Sequence, residues 1–282
     1  MSYIDKALSR LPILDMLSSK KTVSISYLNR LGIQAFRVWL AEKRYSLRPK
    51  SQDEDVKDYM EQLSRDGIIV IPDFLPAEDF ALLENECYEA LKKEERSNIR
   101  QDGPNMYTNI GSAKLGEYPA IMKALRDKRI EKFFTAAERR NVDLSKITTL
   151  LSCLIQGEDN GTTDPETNLH EDTFFNTHKA WLYISDVDLP QAPFVYVKGS
   201  NQNDRTDRIN KIREYSISGN VLKSRRIPDE ELAELGLEES VFKAKKNTFV
   251  LANTLGFHRR LRGVAGNERV ALAYSARYNP FI

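Results

Sequence analysis

Hydrophobic positions recur with two different periods along this chain, and the change of period near residue 147 divides it. Upstream, apolar residues fall three and four apart, the spacing of one face of an α-helix. Residues 1–50 carry two such patterns separated by the polar stretch Ser18 to Lys21. In the second, Leu28, Leu31, Ala35 and Trp39 share a face, and Arg30, Arg37 and Arg44 line the opposite one. A basic amphipathic helix of this kind predicts docking on the barrel or on a second subunit, or adsorption to a membrane surface. Further helices are predicted for 53–67, closed by Gly67, for 76–95 with Leu82, Leu83, Cys87, Ala90 and Leu91 on one side, and for 118–127 and 129–140. A single strand, 68–71, stands among them before the turn at Pro72 and Asp73.

From residue 147 the pattern becomes short apolar strands with polar turns, as a closed two-sheet roll requires. The run 147–155 is β-branched and apolar, and in 269–277 a strict alternation puts Arg269, Ala271, Ala273, Ser275 and Arg277 on one face. These patterns predict a mainly β protein with flanking helices: a jelly-roll domain over 51–282 preceded by a helical extension over 1–50. Residues 203–240 interrupt the strands with two helical patterns, an insertion expected to act as a lid or substrate wall, or else as a surface elaboration.

At 282 residues the chain can bury one sizeable core. Its 42 basic and 41 acidic residues give a formal charge of +1, so no global field argues for nucleic acid. The stretch from Lys198 to Arg262 has 14 basic against nine acidic residues, a local excess that favours a small anionic substrate. Cys87 and Cys153 are the only cysteines, each in apolar context, which fits a reducing cytoplasm better than a disulfide framework. The first residues lack a basic segment followed by an apolar run, and no stretch approaches the length of a membrane span.

The candidate chemistry lies in the β half. His170 and Asp172 are two apart, so on extended backbone their side chains point the same way and can converge on one ion. His258 would complete a set of two imidazoles and one carboxylate, which holds a ferrous ion on one face and leaves its other positions open. Arg269 stands inside an apolar strand, where an unpaired cation is expensive and a bidentate carboxylate would satisfy it. His178 alternates with Ala180, Leu182 and Ile184 and reads as structural, whereas Lys179, Trp181 and Tyr183 take the other face. Lys179, Arg277 and Glu171 are candidate substrate contacts.

His170-x-Asp172, the distal His258 and an arginine eleven residues later resemble the phytanoyl-CoA dioxygenase family of Fe(II)/2-oxoglutarate-dependent oxygenases. The segments 67–75 (GIIVIPDFL) and 192–200 (APFVYVKGS) resemble that family's opening strand and mid-barrel strand, so the likeness runs from about residue 54 to residue 282. The resemblance implies a double-stranded β-helix. It implies iron(II) held by His170, Asp172 and His258, and 2-oxoglutarate whose distal carboxylate meets Arg269 beside a wall formed by Trp181. It also implies dioxygen as oxidant, hydroxylation of an unactivated C–H bond, and release of succinate and carbon dioxide. In related halogenases a small residue replaces the metal carboxylate; Asp172 fills that position here. The family's Pro-Gly-Ser-His is Lys198-Gly199-Ser200-Asn201 in this chain, and Arg260 replaces a small residue seen in some members. A cupin-like metalloenzyme without 2-oxoglutarate, which has no need of Arg269, and a non-catalytic barrel, which needs no triad, are the competing readings.

Overall fold

The alternation seen along the last strand is the principle of the whole β domain: one face of each central strand meets helices and the other meets the barrel interior. In the computed structural model, residues 20–281 are described except 21, 24, 94–103, 163, 203–204 and 219–223. The first helical pattern expected in 1–50 lies outside these residues. The helices are α1 (Ser26–Arg30), α2 (Ile33–Leu47), α3 (Glu54–Asp66), α4 (Ala77–Lys93), α5 (Pro119–Leu125), α6 (Lys128–Glu138), α7 (Arg205–Ile217) and α8 (Asp229–Glu234).

Two antiparallel sheets form the jelly roll. The larger has the order β1 (Ile68–Ile71), β9 (Phe249–Asn253), β5 (His178–Tyr183), β11 (Glu268–Ala276), β3 (Thr148–Ile155), β2 (Met106–Gly111). The smaller has the order β7 (Arg225–Arg226), β4 (His170–Glu171), β10 (His258–Arg260), β6 (Phe194–Val197), β8 (Glu239–Phe242). On the outer face of the larger sheet, Leu151, Cys153, Ala180, Leu182, Leu251, Val270, Leu272 and Tyr274 pack under Val56, Leu63, Phe80, Leu83, Ile121, Phe133 and Phe134 of the helices. Between the sheets, Ile68, Tyr183, Phe194, Tyr196, Val250 and Ala271 form a smaller core with Trp181 against it. The outer face of the smaller sheet is covered by Leu232 of α8 and by Leu235 and Leu237, over Leu169, Val197, Ile227 and Phe257.

The local signals explain the helix that leads into the barrel. Asp53 caps α3 by accepting from the Asp55 amide, and Gly67 ends it at φ 80°, where a side chain would be strained. A Cβ at Gly67 would also collide with the Tyr196 hydroxyl, so glycine is required twice over.

Two expectations about faces are corrected. In α4 the buried residues are Phe80, Leu83, Cys87, Ala90 and Leu91, whereas Leu82 is 63% exposed because it lies off the stripe set by that spacing. The N-terminal helix breaks at Gly32, and its buried side is not the expected apolar stripe: Asn29, Gln34, Arg37, Val38 and Ala41 are buried, while Leu31, Phe36 and Trp39 are exposed and, of the three arginines, Arg30 and Arg44 stay in solvent. Arg37 is tolerated inside because its guanidinium lies over the rings of Phe174 and Phe281, 4.9 and 5.2 Å from their centroids, and donates to Gln34 Oε1 at 2.8 Å. The extension therefore docks on the barrel and on α7, where Asn29 Nδ2 donates to the Ser216 carbonyl at 3.0 Å. Both cysteines are buried and neither is in a disulfide, and no described helix is long and apolar enough to cross a membrane.

Candidate metal centre and its cavity

The three candidate ligands come from two adjacent inner strands of the smaller sheet, β4 with the residue just after it and β10. The register pairs His258 with His170, so their side chains share the inner face, and the Asp172 amide donates to the Thr254 carbonyl at 3.0 Å just beyond β4. One ligand atom from each of His170, Asp172 and His258 lies within 4.8 Å of the others, and both Nε2 atoms are 3.8 Å from Asp172 Oδ1. Each imidazole is oriented by its own strand entry. His170 Nδ1 is 2.8 Å from the Asn168 carbonyl and His258 Nδ1 is 2.8 Å from the Gly256 carbonyl, so Nδ1 carries the proton and Nε2 keeps its lone pair toward the trio.

Charge is tuned to the same end. Burial lowers the His258 pKa to about 4, with Asp172 opposing, and lowers that of His170 in the same direction, so both rings are neutral near pH 7. Burial pushes the Asp172 carboxyl up, but Lys179 Nζ at 2.6 Å from Oδ2, together with the two histidines, holds it well below the usual carboxylate range. Two neutral imidazoles and one ionised carboxylate are the donor set a divalent first-row metal takes.

This trio opens into a cavity of about 260 Å³ lined among others by Tyr107, Lys179, Trp181, Phe194, Arg260 and Arg269. Trp181 packs on Phe194 with ring centroids 5.1 Å apart. Arg269 lies in the cavity wall and donates to the Ala192 carbonyl; burial lowers its pKa, with Tyr183 opposing. A guanidinium stays protonated under such a shift, so Arg269 presents a desolvated cation to the cavity. Arg260, whose presence departs from the resemblance, is paired with Asp164 and donates to the Tyr107 hydroxyl at 2.9 Å.

The remaining expected contacts separate. Lys179 faces the cavity, but its ammonium is matched to Asp172 rather than left for a substrate. Arg277 is half exposed at the rim, with Nη2 3.8 Å from Asp172 Oδ2. Glu171, expected to meet substrate or solvent, is corrected: it is buried on the opposite face of β4, where it accepts from Arg225 Nε at 3.0 Å and Arg208 Nη2 at 3.2 Å. The period of two that turns His170 and Asp172 inward turns Glu171 out, under α7 and β7. His178 Nδ1 lies 2.8 Å from Glu138 Oε1 on the helical side of the larger sheet, away from the trio, as a structural residue should. It borders a larger cleft of about 590 Å³, but no metal-ligating trio is found there among the described residues. Asp164, Tyr107 and the strand β7 went unnoticed in the sequence; each sits in a short polar context with no periodicity to mark it.

No family model matches the sequence, and no curated protein matches it. Solved structures do share the fold. The α-ketoglutarate-dependent non-haem epimerase SnoN from nogalamycin biosynthesis superposes with a TM-score of 0.54 at 16% identity, over 78% of this chain and 82% of that one. The carbocyclase SnoK from the same biosynthesis gives 0.50 at 18% identity, over 80% and 86%. EctD from S. alaskensis, a structure with bound Fe, gives 0.50 at 13% identity, over 81% and 79%. The chain thus has the jelly-roll fold on which non-haem 2-oxoglutarate-dependent enzymes are built.

Proposed function

We propose that this chain is an Fe(II)/2-oxoglutarate-dependent oxygenase that hydroxylates an unactivated C–H bond of a small anionic organic substrate, releasing succinate and carbon dioxide. The observation that carries the reading is the convergence of two Nε2 lone pairs and one carboxylate beside a buried arginine in one cavity. SnoN, which shares the fold, has been solved in complex with Fe3+, α-ketoglutarate and nogalamycin RO, which supports the pairing of cofactor and fold.

His170, Asp172 and His258 would hold the metal, and the carbonyls of Asn168 and Gly256 keep the two rings in the ligating tautomer. Lys179 fixes Asp172 Oδ2 and so leaves Oδ1, the oxygen nearest both rings, as the donor atom. Arg269 would pair with the remote carboxylate of 2-oxoglutarate, a match of planar fork to carboxylate that lysine could not provide. Trp181 and Phe194 wall one side of the cavity with apolar surface. When bound, iron and 2-oxoglutarate supply the oxidising power, which no side chain has. The anionic character of the substrate rests on the rim Arg277, which is half exposed beside Asp172, since Lys179, Arg259 and Arg260 are already matched to Asp172, Glu239 and Asp164.

The test is to load the chain anaerobically with iron(II), supply 2-oxoglutarate and a pool of small metabolites, and admit air. Substrate-dependent succinate with one added oxygen in a consumed metabolite is the expected result. Iron binding without 2-oxoglutarate turnover would favour the cupin-like reading, and failure to bind iron would leave a non-catalytic barrel.

A further inference from the structure

The insertion contributes a strand as well as helices, and that strand brings a cation to the metal site. β7 pairs antiparallel with β4, with Arg226 opposite His170 and Arg225 opposite Glu171. Directly opposed residues project from the same face of a sheet, so Arg226 shares the inner face with His170 and Arg225 shares the outer face with Glu171. The outward arginine is fully engaged: Arg225 donates to Glu171 and, at 2.8 Å, to Glu231 Oε2. Arg208 of α7 joins them through Glu171 and also donates to the Leu255 carbonyl at 3.2 Å, in the loop that leads to His258. The edge strand is thereby locked in place, and the position of Arg226 with it.

The Arg226 side chain makes no hydrogen bond or ion pair with any described residue, and its Nη1 is buried without a partner. It is close enough to His170 for its charge to oppose protonation of that ring. A half-buried guanidinium with an unmatched N–H is costly unless an anion arrives to satisfy it. Arg226 lines an open groove of about 540 Å³ with Asn168, Leu169, Arg259 and the carboxylates Asp229 and Glu239. Arg259 is matched to Glu239 at 2.6 Å, which leaves Arg226 as the cation of the groove without a hydrogen-bonded partner among the described residues, and Arg259 also lines the metal cavity, so the two spaces adjoin. Arg226 and Arg269 occupy different places: Arg269 lies in the cavity wall on β11, Arg226 on the insertion strand beside His170.

We infer that Arg226 is the anchor for an anionic group of the substrate, a carboxylate or a phosphate, held in the groove beside His170. This rests on the oxygenase reading for the word substrate, but the anion site stands on the register and the unmatched cation alone. It gives the insertion a function that a mere surface elaboration would lack: α7 and Arg225 hold the strand, and Arg226 binds.

The experiment titrates full-length zinc-loaded chain, with and without 2-oxoglutarate, with inorganic phosphate and separately with acetate, read by calorimetry. Wild type should bind at least one probe, the stronger one naming the group. Arg226→Met should weaken that binding about tenfold or more, the loss of one charge-assisted contact worth about 1.4 kcal/mol, and Arg226→Lys should fall between. Arg226→Met should bind 2-oxoglutarate as wild type does, and Arg269→Leu should keep the probe anion while losing 2-oxoglutarate. If Arg226→Met does not fold, Arg226→Gln, which keeps a polar side chain, takes its place. No binding of either probe to wild type, or equal binding to the Arg226 variants, overturns the anchor. Failure of wild type to bind 2-oxoglutarate would instead sink the oxygenase reading and leave an Arg226-dependent anion site standing.

Discussion

Replacing Glu171 by leucine should destabilise the chain far more than its place between two metal ligands suggests. The carboxylate sits between Arg208 and Arg225, and all three are buried. Breaking a buried pair by removing one partner costs about 3–5 kcal/mol, because the other charge is left uncompensated. Arg225 would keep Glu231 at 2.8 Å, so the penalty falls chiefly on Arg208, which keeps the Leu255 carbonyl and the nearby charge of Glu42. The lower end, about 3 kcal/mol, is therefore the expected cost. At roughly 2–4 °C per kcal/mol for a chain of this size, calorimetry of the metal-free protein should show a Tm lower by about 6–12 °C. Metal affinity should fall with it by about tenfold or more, since β4 carries His170 and leads into Asp172. The double variant Glu171→Leu/Arg208→Met removes the stranded cation along with its partner and should recover part of the loss. A Tm for Glu171→Leu within about 2 °C of wild type, or a double variant that is simply additive, would show that the network holds nothing in place.

Alanine at His170, Asp172 or His258 should abolish iron retention and substrate-coupled succinate formation with the far-ultraviolet circular dichroism unchanged; turnover like wild type in any of them would dissolve the trio. Arg269→Leu should raise the KM for 2-oxoglutarate by about a hundredfold with iron still bound, the worth of a lost bidentate ion pair, whereas an unchanged KM would reassign Arg269 to structure. The metal-free protein should lose stability as pH falls from about 6.5 to about 4: the unfolded chain protonates His258 at the upper value and the folded chain only at the lower, so between them the unfolded state binds more protons. Urea midpoints across that range test it, and a flat profile refutes the neutral, buried imidazole. Leu31→Ser or Trp39→Ser should change stability by no more than about 0.5 kcal/mol, whereas Arg37→Ala should cost about 2 kcal/mol or more, the reverse of what the helical stripe alone suggests.

That reversal shows where reading the chain succeeds and where it stops. The inner face of β11, the outward turn of His178 and the caps of α3 all follow from local rules, a period of two or a glycine at positive φ, and the structure keeps them. Arg37 and Glu171 break the expectation because their charges are matched by residues distant in sequence, two phenylalanines in one case and two arginines of the insertion in the other. Periodicity states which residues share a face but not which face is covered. A cation or carboxylate faces inward whenever a partner waits there.

β7 is the sharpest instance, for Arg225 and Arg226 are adjacent, identical in type and indistinguishable by composition. Pairing with β4 sends one outward to two carboxylates and the other inward beside His170. A slip of one residue in that register would exchange them, placing the locked arginine at the metal site and the unmatched one in the outer network. Glu171 and Glu231 forbid the slip only if Arg225 is the residue that reaches them. The ion pairs behind the sheet therefore decide which cation the cavity side receives, and any substrate preference that depends on Arg226 depends equally on residues no substrate can touch.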